Sequence, residues 1–153
     1  MMINYTMVYH LFKTTEGYLS VTPLEQAIAE AYASQGQQAD VNRVHLLLLQ
    51  TKFYLPVQKE HTPTEEEPFR PLFAVHEKHI FMLAFEAEDQ MAAWAAEQAG
   101  EIAHVQLSGR DLVVGIGENV FLVLNPGAKL SKEFSPEELQ YLKKIVARIE
   151  QMN

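Results

Sequence analysis

The sequence contains no cysteine among its 153 residues. This absence excludes disulfide bonds, thiolate nucleophiles and zinc sites built on thiolates, and it is typical of a reducing compartment. No apolar run approaches the roughly 18 residues that span a bilayer. The opening segment MMINYTMVYHLF also lacks the basic flank and cleavage site of a signal peptide. The sequence therefore predicts a cytoplasmic protein with no membrane partner.

Positive charge is also scarce. The chain carries 12 Lys and Arg residues against 20 Asp and Glu residues, which gives a formal net charge of -8. Nucleic acids and anionic membrane surfaces bind through clustered Lys and Arg, so neither is an expected partner. The acidic balance favours solubility and does not by itself indicate a function.

The composition that remains is that of an ordinary globular domain. Apolar residues make up 48% of the chain and charged residues 21%, without repeats or low-complexity tracts. A chain of this length hides roughly two-thirds of its unfolded surface when it folds. We therefore expect one domain over residues 1–153.

The stretch from Ile102 to Ala128 is predicted to hold the centre of the fold. Val120 to Leu124 form a continuous apolar run, which is typical of a strand buried on both faces. The run ends at Asn125-Pro126-Gly127, where the proline fixes the first corner and the glycine supplies the positive φ of a type II turn. Before the run, Ser108 and Asp111 have the spacing of a cap for a short helix.

Capping residues predict where other helices begin. The segment Thr22-Pro23-Leu24-Glu25 has the pattern of a capping box with proline at the first helical position. Asp40 is a suitable N-cap for a second helix from Val41 to about Thr51. A third helix is expected to begin at Glu88 and to end at Gly100.

Apolar and β-branched runs predict the remaining strands. A first hairpin is expected at about residues 5–22, and a second from Pro71–Val75 and His79–Phe85. Phe53–Val57 contains a proline, which cannot donate to a ladder, so this segment is predicted to be an edge strand or to leave the sheet. The acidic segment at about residues 59–68 is predicted to be an exposed, mobile loop. The whole pattern predicts an α+β fold in which several helices cover a mixed β-sheet.

Several motifs, taken together, are similar to those of one protein family. They are Phe53-Tyr54-Leu55-Pro56-Val57, Pro71-Leu72-Phe73, Phe85 followed by an acidic helix start and Trp94, Leu107-Ser108-Gly109-Arg110-Asp111-Leu112, and Leu122-Val123-Leu124-Asn125-Pro126-Gly127. The chain thus resembles the N-terminal domain of the SseB family, named for a bacterial protein linked to enhanced serine sensitivity. The resemblance covers about Pro23 to about Leu142. It implies a mixed α+β fold and a family without an assigned reaction, so it supplies no catalytic residue.

Histidines are the candidate metal ligands of this sequence. His76, His79 and His104 could bind zinc or nickel, since imidazole is a common ligand of both. However, His76 and His79 lie at a predicted hairpin turn, and their spacing is not that of the His-Glu-x-x-His motif. We expect no metal and no cofactor. Glu65 to Glu67 are likewise interpreted as part of a solvated loop, not as an acid and base pair.

Polar residues near strand ends form the candidate ligand site. Arg110, Asp111 and Asn125 are predicted to lie on one rim of the sheet, where polar groups converge in α+β folds. Ser108 is interpreted as a helix cap, because no Gly-x-Ser-x-Gly elbow surrounds it. Gly115-Ile116-Gly117 follows a short helix and lacks the third glycine of a dinucleotide loop. No catalytic residue is predicted.

Two functions fit this sequence. The favoured one is a non-enzymatic protein-interaction module that binds another protein, because a catalytic constellation is missing and the surface is acidic. The alternative is a small-ligand-binding protein or an enzyme that uses the rim near Arg110, Asp111 and Asn125. A monomer is preferred over a homodimer, since Pro56 blunts an exposed strand edge and the negative charge opposes close approach of two copies.

Overall fold

The computed structural model describes residues 2–3 and 22–152. The hairpin predicted at about residues 5–22 lies outside this part of the chain, apart from Thr22. The described helices are α1 (Pro23–Ala33), α2 (Gln38–Gln50), α3 (Glu88–Ala95), α4 (Gly109–Gly115) and α5 (Pro136–Met152), with a 3-10 helix (Ala96–Glu101) directly after α3. The strands are β1 (Met2–Ile3), β2 (Lys52–Gln58), β3 (Phe73–His76), β4 (His79–Ala84), β5 (Ile102–Ser108), β6 (Val120–Leu124) and β7 (Lys132–Phe134).

The strands form two sheets. The larger has five strands in the order β1-β3-β4-β6-β7, and it is mixed, because β4 and β6 run parallel while β6 and β7 run antiparallel. The smaller is the antiparallel pair of β2 and β5, so β2 lies outside the main sheet, one of the two placements that Pro56 predicts. Tyr54 and Phe85 exchange backbone hydrogen bonds of 2.7 and 2.9 Å, which join the two sheets. The predicted α+β fold with a mixed sheet is confirmed.

Strand β6 lies between β4 and β7 and is buried on both faces, as its apolar run predicts. Leu122 and Leu124 belong to the larger core, which they share with buried residues of α1, α2, α4 and α5. Val123 belongs to a second core on the opposite face, together with Met91 and Trp94 of α3. Helix α3 therefore covers one face of the main sheet, and the other helices cover the second face. No helix within residues 22–152 is long and apolar enough to cross a membrane.

The turns follow the local chemistry of their residues. Asn125 accepts a hydrogen bond of 3.0 Å from the backbone N–H of Ala128, and Gly127 has a φ of 82°, as a type II turn requires. Between β3 and β4, Glu77 and Lys78 have φ values of 49° and 69°. Positive φ at both central residues defines a type I′ turn, which suits the twist of a two-residue hairpin.

The helix boundaries agree with some capping predictions and correct others. Thr22 caps α1 in a capping box with Glu25, as predicted. The prediction that Asp40 caps the second helix is wrong, because α2 begins at Gln38 and contains Asp40 in its first turn. The third helix does not run to Gly100 either, since the φ of Ala96 is 49° and the chain continues as a 3-10 helix. A positive φ of this kind interrupts α-helical hydrogen bonding.

The acidic segment of residues 59–68 is a loop without helix or strand, and residues 62–68 are exposed. Its contacts are mostly internal or near its ends. The guanidinium of Arg70 donates to both carboxylate oxygens of Glu67, at 2.7 and 3.3 Å. The mobility of this loop stays a prediction, which limited proteolysis would check.

Candidate functional site

Arg110 and Asp111 lie in the first turn of α4, at the surface. The Nη2 atom of Arg110 lies 3.1 Å from Oε1 of Glu150 on α5, and both side chains are well exposed. The backbone N–H of Asp111 donates to Oγ of Ser108 at 3.1 Å, which confirms the predicted helix cap. The arginine thus ties two helices together, while the carboxylate of Asp111 faces solvent.

Asn125 directly follows β6 and is fully buried, with an exposed fraction of 0%. Its Oδ1 accepts from the backbone N–H of Glu86, and its Nδ2 donates to Oε2 of Glu86, both at 2.9 Å. Thr22 Oγ1 also donates to Oε2 of Glu86, at 2.9 Å. Burial raises the pKa of the Glu86 carboxyl above its ordinary value, although the hydrogen bonds from Asn125 and Thr22 oppose this shift.

The side chain of Asn125 therefore braces the segment after β4, while its backbone carbonyl closes its own turn. Within residues 22–152, no hydrogen bond or ion pair connects Asn125 with Arg110 or Asp111. The predicted rim is therefore not joined by hydrogen bonds or ion pairs among these three residues. Ligand binding at these residues stays a prediction.

The three candidate histidines lie on two different sheets. His76 and His79 face each other across the hairpin of β3 and β4, whereas His104 lies on β5 in the smaller sheet. The His79 ring packs 4.9 Å from that of Phe121, and the His104 ring packs 5.2 Å from that of Tyr54. Within the described ranges, no group of three or more His, Asp or Glu side chains is arranged to hold a metal ion.

A surface pocket of about 190 Å³ lies where α1 and α2 meet the corner between β7 and α5. The two helices form an antiparallel hairpin whose turn is closed by Gly36, with a φ of 83° and a hydrogen bond of 2.9 Å from its N–H to the carbonyl of Ala31. The pocket is mainly apolar, and its lining includes Ile28, Ala31, Val41, Val44, Tyr32, His45, Lys132 and Glu138. We call it the His45 pocket.

Three charged or polar side chains meet at one side of the His45 pocket. The Nε2 atom of His45 lies 2.8 Å from Oε2 of Glu138, and His45 is only 5% exposed. The other carboxylate oxygen of Glu138 accepts from Nζ of Lys132 at 3.4 Å. The same Nζ lies 4.4 Å from the centre of the Phe134 ring, a distance that suits a cation–π contact. The Nδ1 atom of His45 is buried and has no hydrogen-bond partner among the described residues.

Two titratable groups of this pocket respond to these contacts. Burial acts to raise the pKa of Glu138, but the hydrogen bonds and charges of His45 and Lys132 outweigh it, and the pKa lies below its ordinary value. The pKa of the Tyr32 hydroxyl is raised by burial, and then by the negative charges of Glu138 and Glu133. The pocket edge at Tyr32 therefore lies in a negative electrostatic field.

Exposed apolar and aromatic side chains lie next to the His45 pocket. Tyr32 lines the pocket and is 59% exposed. Tyr141 is 50% exposed, and its ring centre lies 5.9 Å from that of His45. We call Tyr32 and Tyr141 the aromatic rim. Large exposed aromatic side chains beside a pocket are typical of protein-binding surfaces.

Comparison with protein families identifies the domain. The SseB protein N-terminal domain matches residues 24–141, which is most of the chain. The chain belongs to the SseB family. No curated protein and no solved structure matches it. The match agrees with the resemblance in the sequence and covers α1 to the first turns of α5, which are the elements that build the His45 pocket.

The pocket of this SseB domain was missed by sequence reasoning. Its charged residues are far apart in the chain, since His45 and Glu138 are separated by 93 positions. One signal was present in the sequence. His45 lies between buried Val44 and Leu48 on the inner face of α2, and a titratable residue on an apolar helix face indicates a specific partner. The sequence did not show which carboxylate supplies that contact.

Proposed function

We propose that this SseB domain is a non-enzymatic protein-interaction module of the bacterial cytoplasm, which binds its partner protein through the His45 pocket and the aromatic rim. The observation that carries the proposal is an apolar surface pocket flanked by two exposed tyrosines. Tyrosine is enriched among the residues that contribute most to protein binding, especially beside pockets that lose their water.

The polar contacts of the pocket support a structural role for Glu138. Both oxygens of Glu138 are already engaged, one by His45 and the other by Lys132. Each oxygen accepts from a protein donor on another element, His45 on α2 and Lys132 on β7. The contacts hold β7, α2 and α5 in place around the pocket.

Site-specific photo-cross-linking tests the proposal. Tyr141 is replaced by benzoylphenylalanine in the full chain, which is expressed in its own host cells, and cross-linked proteins are identified by mass spectrometry. We expect one discrete partner protein. The matched control carries the same group at Val114, which is 55% exposed but lies on α4, away from the pocket. Equal cross-linking from positions 141 and 114 would contradict the proposal.

A second pair of variants links the cross-link to the pocket. Ala31→Phe places a ring inside the pocket, whereas Ala33→Phe adds the same ring to an exposed position of the same helix. We expect Ala31→Phe to abolish the cross-link from position 141 and Ala33→Phe to retain it. Retention in both variants would show that the partner does not enter the pocket.

The oligomeric state and compartment belong to the same proposal. We propose a monomer, since the negative charge of the chain opposes association of two copies. Light scattering of the full chain checks this, and a dimer mass would contradict it. Fractionation of host cells checks the cytoplasmic location, with recovery of the protein in the soluble cytosolic fraction as the expected result.

A further inference from the structure

We infer that the segment recognised by the His45 pocket carries a ring-sized apolar side chain next to a lysine or arginine. This inference rests on the proposed function and adds to it the chemistry of the partner. It follows from the size of the pocket, from the apolar side chains that form its inner surface, and from the charge at its edge.

The size of the pocket limits which side chain of the partner can enter it, and we call that side chain the anchor. Its volume is about 190 Å³, and its inner surface includes Ile28 and Val44, each only 1% exposed. An engineered apolar cavity of about 150 Å³ binds benzene. The His45 pocket therefore has room for one aromatic ring or one large aliphatic side chain. A charged anchor would lose its hydration among these apolar side chains, and the Lys132 and Glu138 of the lining are already paired with each other.

The charge at the pocket edge indicates the charge of the partner residue next to the anchor. Lys132 is the cation that lines the pocket, and its Nζ is already held by Glu138, by the carbonyl of Glu133 and by the Phe134 ring. Arg43 is paired with Glu30 at 3.0 Å, so these two charges balance. The Glu133 carboxylate has no ion-pair partner among the described residues. Glu133 therefore places a carboxylate, unpaired within the described part of the chain, near Tyr32 at this edge.

Tyr32 of the aromatic rim is affected by the carboxylates at this edge. Burial raises the pKa of the Tyr32 hydroxyl, and the nearby carboxylates of Glu138 and Glu133 act in the same direction, so both lie close to this side of the pocket. A lysine or arginine of the partner would gain a favourable interaction here, and the net charge of -8 would speed the approach of a basic segment. An acidic segment would be repelled on both counts.

Selection from a library of random displayed peptides against the full chain tests this inference. We expect the enriched peptides to share an aromatic or large aliphatic residue within a few positions of lysine or arginine. One enriched peptide is then synthesised, and its binding is measured by fluorescence anisotropy. We expect Ala31→Phe to weaken it at least about tenfold, which corresponds to about 1.4 kcal/mol, and Ala33→Phe to leave it unchanged.

The charge is tested separately from the pocket. Glu133→Lys should weaken the enriched peptide several-fold, and the loss should shrink as salt is raised, because screening reduces the interaction of exposed charges. Glu137→Lys on the first turn of α5 is the matched control for net charge, and we expect a smaller effect from it. The inference is overturned by enrichment of acidic flanks, by equal effects of the two reversals, or by failure of any peptide to enrich. In those cases the cross-linking from Tyr141 still decides the proposed function.

Discussion

Glu86 and Glu138 are both partly buried and both meet polar partners, but the two sites differ in the charge of those partners and in their access to the surface. Around Glu86, the partners are the neutral side chains of Asn125 and Thr22, and Asn125 is fully buried. Around Glu138, the partners are His45 and Lys132, and the site opens to a surface pocket. The first site joins the start of α1 to the ends of β4 and β6, whereas the second lines a space that another molecule can enter.

The difference shows how neighbours decide the state of a buried carboxyl. Neutral donors at Glu86 do not offset the loss of water, so its pKa is raised. At Glu138, burial also acts to raise the pKa. The hydrogen bond with His45 and the positive charge of Lys132 outweigh this effect, so the pKa of Glu138 is lowered. We interpret the Glu86 site as a structural brace and the Glu138 site as part of a binding surface. The following predictions test this comparison.

The largest effect is expected from breaking the brace. Asn125→Ala removes both hydrogen bonds to Glu86 and places alanine at a φ of 51°. Unpaired buried groups and left-handed strain together should lower the free energy of unfolding by about 3 to 5 kcal/mol. Urea unfolding measures this loss. Asn125→Gly tolerates the positive φ and should recover about 1 kcal/mol of this loss. If Asn125→Ala cost no more than an ordinary surface substitution, the interpretation of the Glu86 site as a brace would be wrong.

A smaller effect is expected from the pocket. Glu138→Ala removes the acceptor of His45 and Lys132, but water can reach the opened site and solvate the freed donors. We expect a loss of about 1 to 2 kcal/mol in the same unfolding experiment. The neighbouring Glu137→Ala, at an exposed position, is the control and should change stability little. If Glu138→Ala cost more than Asn125→Ala, the roles assigned to the two sites would be reversed.

The two glutamates should give opposite pH dependences. The folded state raises the pKa of Glu86, so its contribution to stability is full below the ordinary value of about 4.3 and is lost as pH rises through the folded pKa. The folded state lowers the pKa of Glu138, so its contribution is present above about 4.3 and is lost as pH falls through the folded pKa.

Urea unfolding of the wild type, Glu86→Gln and Glu138→Gln over a series of pH values separates these contributions. The stability of the wild type relative to Glu86→Gln should fall as pH is raised above the ordinary glutamate pKa. Its stability relative to Glu138→Gln should fall as pH is lowered below that value. Slopes of the same sign for both variants would refute the comparison of the two carboxyls.

The smallest effect is expected at the exposed end of the predicted rim. Arg110→Ala breaks the ion pair with Glu150, in which both side chains are well exposed. Exposed pairs contribute little, so the free energy of unfolding should change by less than about 0.5 kcal/mol. Thermal unfolding at low and high salt measures the change. A loss comparable to that of Asn125→Ala would show that this exposed pair contributes far more to stability than the comparison allows.

Local signals in the sequence predicted much of the fold. The apolar run of β6, the capping box of Thr22, and the proline and glycine after Asn125 each depend on residues within a few positions of one another. Short-range patterns of this kind give a strand, a helix start or a turn without knowledge of the rest of the chain. The prediction that Asp40 caps the second helix was wrong because an aspartate is equally favourable in the first turn of a helix.

The sequence by itself determined the start of α1, the hairpin of β3 and β4 and the burial of β6, because periodicity and capping are properties of neighbouring residues. Only the tertiary structure decided that β2 and β5 form a separate sheet, that Asn125 binds Glu86, and that His45 meets Glu138. These contacts join segments that are between 39 and 93 positions apart. No local pattern encodes such a pairing, since the packing of helices and strands in three dimensions selects which buried polar groups become partners.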